Sequence, residues 1–151
     1  VSLTLRCATE ADTRATGRRL ASLLRAGDVV LLAGDLGSGK TVFASGIGEG
    51  LGVVEQVVSP SFVLARRYEG LLGMVHADLY RVGSSAEVED LDLLEAAGGG
   101  VLVVEWGEAA ASCFPEDHLL VTLQADDAGT RSITLQGWGS WEGRPLEEVA
   151  G

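Results

Sequence analysis

Residues Gly34-Asp35-Leu36-Gly37-Ser38-Gly39-Lys40-Thr41 match G-x-x-x-x-G-K-[ST], the pattern of a phosphate-binding loop. Each residue type has a chemical reason. Gly34, Gly37 and Gly39 let the backbone turn tightly and approach a phosphate with no Cβ in the way. Successive N–H groups then face inward as an anion-binding nest. Lys40 reaches β- and γ-phosphates as a point charge. The Thr41 hydroxyl suits Mg2+, which takes oxygen donors octahedrally and usually keeps several waters.

The flanks fit the loop. Asp28 to Ala33 (DVVLLA) reads as a short buried strand, with four aliphatic residues running toward the glycines. Lys40 to about Leu51 (KTVFASGIGEGL) reads as a helix stopped by Gly52. Strand, loop and helix in that order set the phosphates on a helix N-terminus. The chain holds ten Arg and one Lys, and the one Lys is Lys40.

A length of 151 residues gives room for one domain with a real core, and 21 Gly beside 46% hydrophobic residues suits a compact α/β protein. No apolar run approaches the ~18 residues of a membrane span. The opening VSLTLRC alternates like a strand and lacks a signal-peptide pattern. Cys7 and Cys113 are too few and too far apart for a disulfide framework, which points to a reducing, cytoplasmic setting. His76 and His118 have no Cys or His at ligand spacing, so each is expected to be a satisfied or exposed histidine rather than a zinc ligand.

The net charge of −11 is unevenly placed: Val82 to Thr130 holds eleven acidic residues and no Lys or Arg, while the rest is neutral. A protein that grips a phosphate backbone usually shows a basic face. Simple solubility explains the acidic block, and a basic protein partner is the functional alternative.

The remaining elements follow from periodicity and caps. Ser2 to Cys7 is a strand. Thr9-x-x-Asp12 is a capping box opening a helix to about Arg25, with Gly17, Leu20, Ala21 and Leu24 on one face and Arg14, Arg18, Arg19 and Arg25 read as its solvated side. Phe62 to Tyr68 and Met74 to Tyr80 are two strands joined around Gly70 to Gly73. Ser84-x-x-Glu87 opens a helix through about Ala97. Val101 to Val104 is a buried strand, followed by a short helix before Pro115. His118 to Gln124 and Arg131 to Gln136 form a closing hairpin across Asp126-Asp127-Ala128-Gly129. Residues 1–136 thus read as a single P-loop domain, which the resemblance given below makes an ATPase domain, and 137–151 as a tail whose docking or flexibility the sequence leaves open.

A phosphate loop needs a second, metal-side carboxylate at the end of a neighbouring buried strand. Glu105 after Val101-Leu102-Val103-Val104 is one candidate, and Asp78 after Met74-Val75-His76-Ala77 is the other. A guanine-specific GTPase would need an N-K-x-D base reader, and this chain contains no Asn. A small-molecule kinase stays open by class, although 151 residues leave little room for its lid and substrate segments. No arginine finger is evident in the loops around the site.

Taken together, GDLGSGKT, SPSF, HADLYR and VVEW, in this order, resemble the TsaE family, also known as YjeE. The likeness runs from about Leu3 to Gln136. It implies an α/β fold: a P-loop NTPase-like mixed β-sheet flanked by helices, with a C-terminal antiparallel hairpin. It also implies a bacterial ATPase required for threonylcarbamoyladenosine modification of tRNA. Such a protein acts on the TsaB–TsaD complex and uses ATP and Mg2+; the acidic block argues that this chain does not itself hold tRNA tightly.

Carried over by position, the resemblance gives Asp35, Leu36, Gly37, Ser38, Gly39, Lys40, Thr41 and Val42 to the nucleotide. It gives Thr41 and Glu105 to Mg2+, and Asp78 to the attacking water. Trp106 matches the family's Trp, a candidate either to pack beside the nucleotide or to report on partner binding. Ser61 stands where the family usually has Thr, in a segment that looks like a switch. Thr9 lies near the family's adenine side, and Arg131 matches a hairpin arginine that could approach the nucleotide. Ser38 and Val42 replace a frequent Ala and a frequent Thr.

Overall fold

The computed structural model describes residues 1–60 and 64–151. Seven strands form one mixed sheet in the order β1-β7-β6-β2-β5-β4-β3. They are β1 (Ser2–Cys7), β2 (Val29–Ala33), β3 (Ala65–Tyr68), β4 (Met74–Asp78), β5 (Val101–Glu105), β6 (Leu119–Ala125) and β7 (Arg131–Gly137). The four inner strands β6, β2, β5 and β4 run parallel. β1 and β3 close the two edges antiparallel, and β6–β7 is the expected antiparallel hairpin.

β2 lies between β5 and β6 and is buried along its whole length. That is why it reads as an unbroken aliphatic run: a central parallel strand is covered on both faces. Its alternate residues supply two separate cores. Val30 and Leu32 share one with Leu20 of α1 (Glu10–Ala21) and Phe43 and Ile47 of α2 (Lys40–Gly50). Val29 and Leu31 share the other with Val88 of α3 (Ser85–Asp90) and Leu93 of α4 (Leu93–Ala97). Helices therefore cover both faces, as the sequence leads one to expect.

Several boundaries differ for local reasons. The helix expected to run to about Arg25 ends at Ala21, and three successive i→i+3 bonds, from Ser22, Leu23 and Leu24, tighten the chain behind it. The single helix expected from Ser84 is two, because Asp92 takes a left-handed conformation at φ 51° between them. Asp tolerates that region better than most residues. β4 stops at Asp78, whose Oδ1 accepts from the Tyr80 N–H at 2.9 Å and turns the chain away. The first expected residue of β3, Phe62, and the expected switch residue Ser61 lie outside the described residues.

The tail docks. Trp141, Leu146 and Val149 are buried in the same core as α1 and α2. Arg144 makes a buried bidentate pair with Asp28, at the foot of β2, and its guanidinium lies 4.0 Å from the Trp141 ring centroid. Arg19 of α1 donates to the Val149 carbonyl at 2.7 Å, and Arg14 to Ser45 Oγ at 2.6 Å. The arginine face of α1 is thus only partly solvated.

Candidate functional site

The site forms where β2, β4 and β5 end side by side. Asp78 and Glu105 are register partners, and Leu32 of β2 pairs with Glu105. The loop after β2 must turn immediately. Gly34 does so at φ +142°, where a Cβ would meet the Leu123 carbonyl oxygen at 2.3 Å. Among the described residues no side chain caps α2 behind Gly39, and its first turn carries no acid. The first N–H groups of a helix have no intrahelical partner, so this end is left for an anion.

Lys40 is buried, and its Nζ donates to the carbonyls of Gly34 at 2.6 Å and Asp35 at 2.9 Å. Nζ also sits 3.8 Å from the Trp106 ring centroid. Burial pushes its pKa below the usual lysine value, and the carboxylates of Glu105, Glu108, Asp78 and Asp35 partly offset that. The Thr41 hydroxyl donates to Glu105, at 2.9 Å from Oε2 and 3.1 Å from Oε1. A hydroxyl and a carboxylate are hard oxygen donors, and such a pair fits Mg2+ rather than a softer ion.

Trp106 leaves β5 in a left-handed conformation at φ 65°, pinned by its N–H to the Leu32 carbonyl at 2.8 Å. For a bulky residue this stores roughly 1–3 kcal/mol of strain. The turn sets the indole between Lys40 and the Tyr80 ring, whose centroid is 5.0 Å away. Asp78 is buried beside them, with Oδ2 3.4 Å from the Ser59 hydroxyl.

These groups line one cleft of about 390 Å³. Of the residues singled out by sequence, Leu36, Gly37, Gly39, Lys40, Thr41, Val42, Asp78, Glu105, Trp106 and Arg131 all face it. Asp35 and Ser38 instead border a neighbouring notch under the loop. Thr9 does not line the cleft: its hydroxyl accepts from the Asp12 N–H as the cap of α1, and Glu10 beside it faces the opening. Arg131 holds the loop from outside, with Nε 3.4 Å from the Ser38 carbonyl and Nη2 3.3 Å from that of Gly37.

Of the other lining residues, sequence reasoning passed over Glu10, and it named Ser59, Tyr80 and Arg81 only within the SPSF and HADLYR motifs, with no role at the site. Arg81 joins Arg131 at the cleft, where no arginine finger was evident from the sequence. Tyr80 and Arg81 were visible only as neighbours of Asp78. His76, expected to be an ordinary histidine, is fully buried with Nε2 2.6 Å from Glu105 Oε2.

Comparison with known proteins identifies the family. The family described as threonylcarbamoyl adenosine biosynthesis protein TsaE matches residues 7–133. A Streptomyces coelicolor protein named tRNA threonylcarbamoyladenosine biosynthesis protein TsaE is 44% identical over 147 residues, covering 91% of this chain and 99% of its own. Proteins of the same name from Treponema pallidum and Bacillus subtilis are 40% and 36% identical, covering 87% and 92% of this chain and 99% and 88% of theirs. The crystal structure of Bacillus subtilis YdiB superposes with a TM-score of 0.81 at 31% identity, covering 99% of this chain and 95% of that one. The chain belongs to the TsaE family of threonylcarbamoyladenosine biosynthesis proteins.

Proposed function

We propose that this protein is a Mg2+-dependent ATPase that serves tRNA threonylcarbamoyladenosine synthesis by acting on a TsaB–TsaD complex. The observation that carries the reading is the Thr41–Glu105 pair beside the uncapped N-terminus of α2, with Lys40 in the same cleft. Family membership supports the pathway.

The chain's own groups divide the work. Lys40 exchanges its carbonyl partners for phosphate oxygens. Thr41 and Glu105 are the residues that would hold Mg2+, the carboxylate directly or through water. An ion held there would supply charge neutralisation to the transferring phosphate. Thr41 and Glu105 offer two oxygen donors, and a Mg2+ held there would take its other ligands from phosphate and water. Asp78 orients the attacking water, and the Tyr80–Trp106 wall shields it.

Arg131 is engaged with loop carbonyls rather than with the phosphate position. An arginine acting on the transferring group is worth about 10³–10⁵ in rate when a partner supplies it. Arg81 also lines the cleft, so slow basal turnover and its acceleration by the partner complex rest on the family resemblance and not on a missing arginine. The acidic block between Val82 and Thr130 argues that the protein does not grip tRNA directly. No helix among the described residues is long and apolar enough to cross a membrane.

Calorimetric titration of ATP with Mg2+ and with EDTA tests the site. Binding that strengthens with Mg2+ and loses that dependence in Thr41→Ala supports it. Equal Mg2+ dependence in both proteins contradicts it.

A further inference from the structure

His76 stands in the middle of β4, fully buried, opposite Val103 of β5. Alternation along β4 puts Met74, His76 and Asp78 on one face, and along β5 it puts Val101, Val103 and Glu105 on the same face. Met74 and Val103 share a core with Phe43 and Ala44 of α2, so the imidazole lies beneath the helix that starts at Lys40.

The geometry around it is specific. Nε2 is 2.6 Å from Glu105 Oε2, the oxygen that also accepts from the Thr41 hydroxyl at 2.9 Å. Among the described residues Nδ1 is buried with no hydrogen-bond partner. An orphaned buried N–H is rarer in folded proteins than an under-used acceptor. The tautomer that fits carries its proton on Nε2 and donates it to the carboxylate.

We infer that His76 is a positioning residue: its Nε2–H fixes the Glu105 carboxylate against Thr41 and so forms the metal-facing side of the site in advance. The inference rests on the Mg2+–nucleotide reading above. A ligating carboxylate left to rotate must be ordered when the ion arrives. Loss of such an outer hydrogen bond typically weakens metal binding about 10–100-fold.

The test compares the wild type with His76→Leu, which removes the donor, and His76→Gln, which keeps an N–H. The readout is the Mg2+ concentration that half-restores binding of a fluorescent, non-hydrolysable ATP analogue after EDTA treatment; turnover is not used. His76→Leu is expected to raise that concentration about 10–100-fold, while analogue binding in EDTA stays within about twofold. His76→Gln is expected to recover to within about threefold of the wild type. Circular dichroism and melting establish that each variant is folded.

A folded His76→Leu protein with the wild-type Mg2+ requirement overturns the inference. So does a folded His76→Gln protein as impaired as His76→Leu. Should His76→Leu not fold, His76→Gln decides alone, and a requirement raised about tenfold or more overturns it. If the wild type binds the analogue equally with and without Mg2+, the failure lies with the Mg2+–nucleotide reading, and the inference falls with it.

Discussion

Lys40 is held in place by two loop carbonyls and an indole face. A triphosphate is a stronger partner than either carbonyl, because hydrogen bonds between charged groups exceed neutral ones. Lys40→Ala is expected to weaken ATP binding about 10–100-fold, as read by calorimetry. Lys40→Arg is expected to bind almost as poorly, since a planar fork does not replace a compact ammonium. Unchanged affinity in Lys40→Ala would remove it from the site. The loop residues, Asp78 and Glu105 were legible because their chemistry dictates their types and places them at strand ends. His76 was not, because its partner Glu105 lies 29 residues away and meets it only through the β4–β5 pairing. Its one local signal is the two-residue step to Asp78, which puts both on one face of the strand. Glu10 was hidden for a similar reason, and Arg81 was visible only as the end of the HADLYR motif: charged surface residues by type, they reach the cleft through the turn of the chain.

At the scale of elements, α1 and α2 approach closely enough to exclude side chains. A Cβ on Gly46 would stand 2.1 Å from the Arg14 carbonyl oxygen, and one on Gly17 2.4 Å from that of Phe43. Backbone cannot yield as a flexible side chain can. Gly46→Val is expected to destabilise by about 3 kcal/mol or more and to lower Tm by about 6–12 °C. A melt at the wild-type temperature would contradict the packing. The α3–α4 break carries a pH signature. A hydrogen bond with Asp92, and then its charge, raise the Glu95 carboxyl above its ordinary 4.5. The folded chain then holds that proton more tightly than the unfolded one, so stability falls as pH rises through the window starting near 4.5. Glu95→Gln is expected to melt slightly higher at neutral pH, with the difference closing in acid. A difference that widens in acid would reverse the assignment. The break itself was not legible, because the helical spacing of Val88, Leu91 and Leu94 runs straight across it.

Across the whole molecule, the tail ties the last residues to the strand that feeds the phosphate loop. Arg144 and Asp28 are 116 residues apart, so neither end of the sequence announces the pair. The same separation explains why Trp138 and Trp141 could not be assigned to a core or to solvent; Trp141 is buried and Trp138 is 41% exposed. Arg144→Ala leaves a buried carboxylate unpaired and is expected to lose about 3–5 kcal/mol in urea denaturation. A wild-type midpoint would show that the pair contributes nothing. The sheet order, by contrast, was only partly legible. The parallel core follows from unbroken aliphatic strands, and the hairpins from their turns, but the placement of β1 beside β7 follows from no local pattern.

The central claim is a slow ATPase governed by a partner. The most direct measurement is ATP hydrolysis by the pure protein with Mg2+, alone and with its cognate TsaB–TsaD complex. Slow turnover alone that rises on adding the complex is the expected result. Fast turnover alone, or normal ATP binding with no response to the complex, would contradict it and favour a small-molecule kinase built on the same loop.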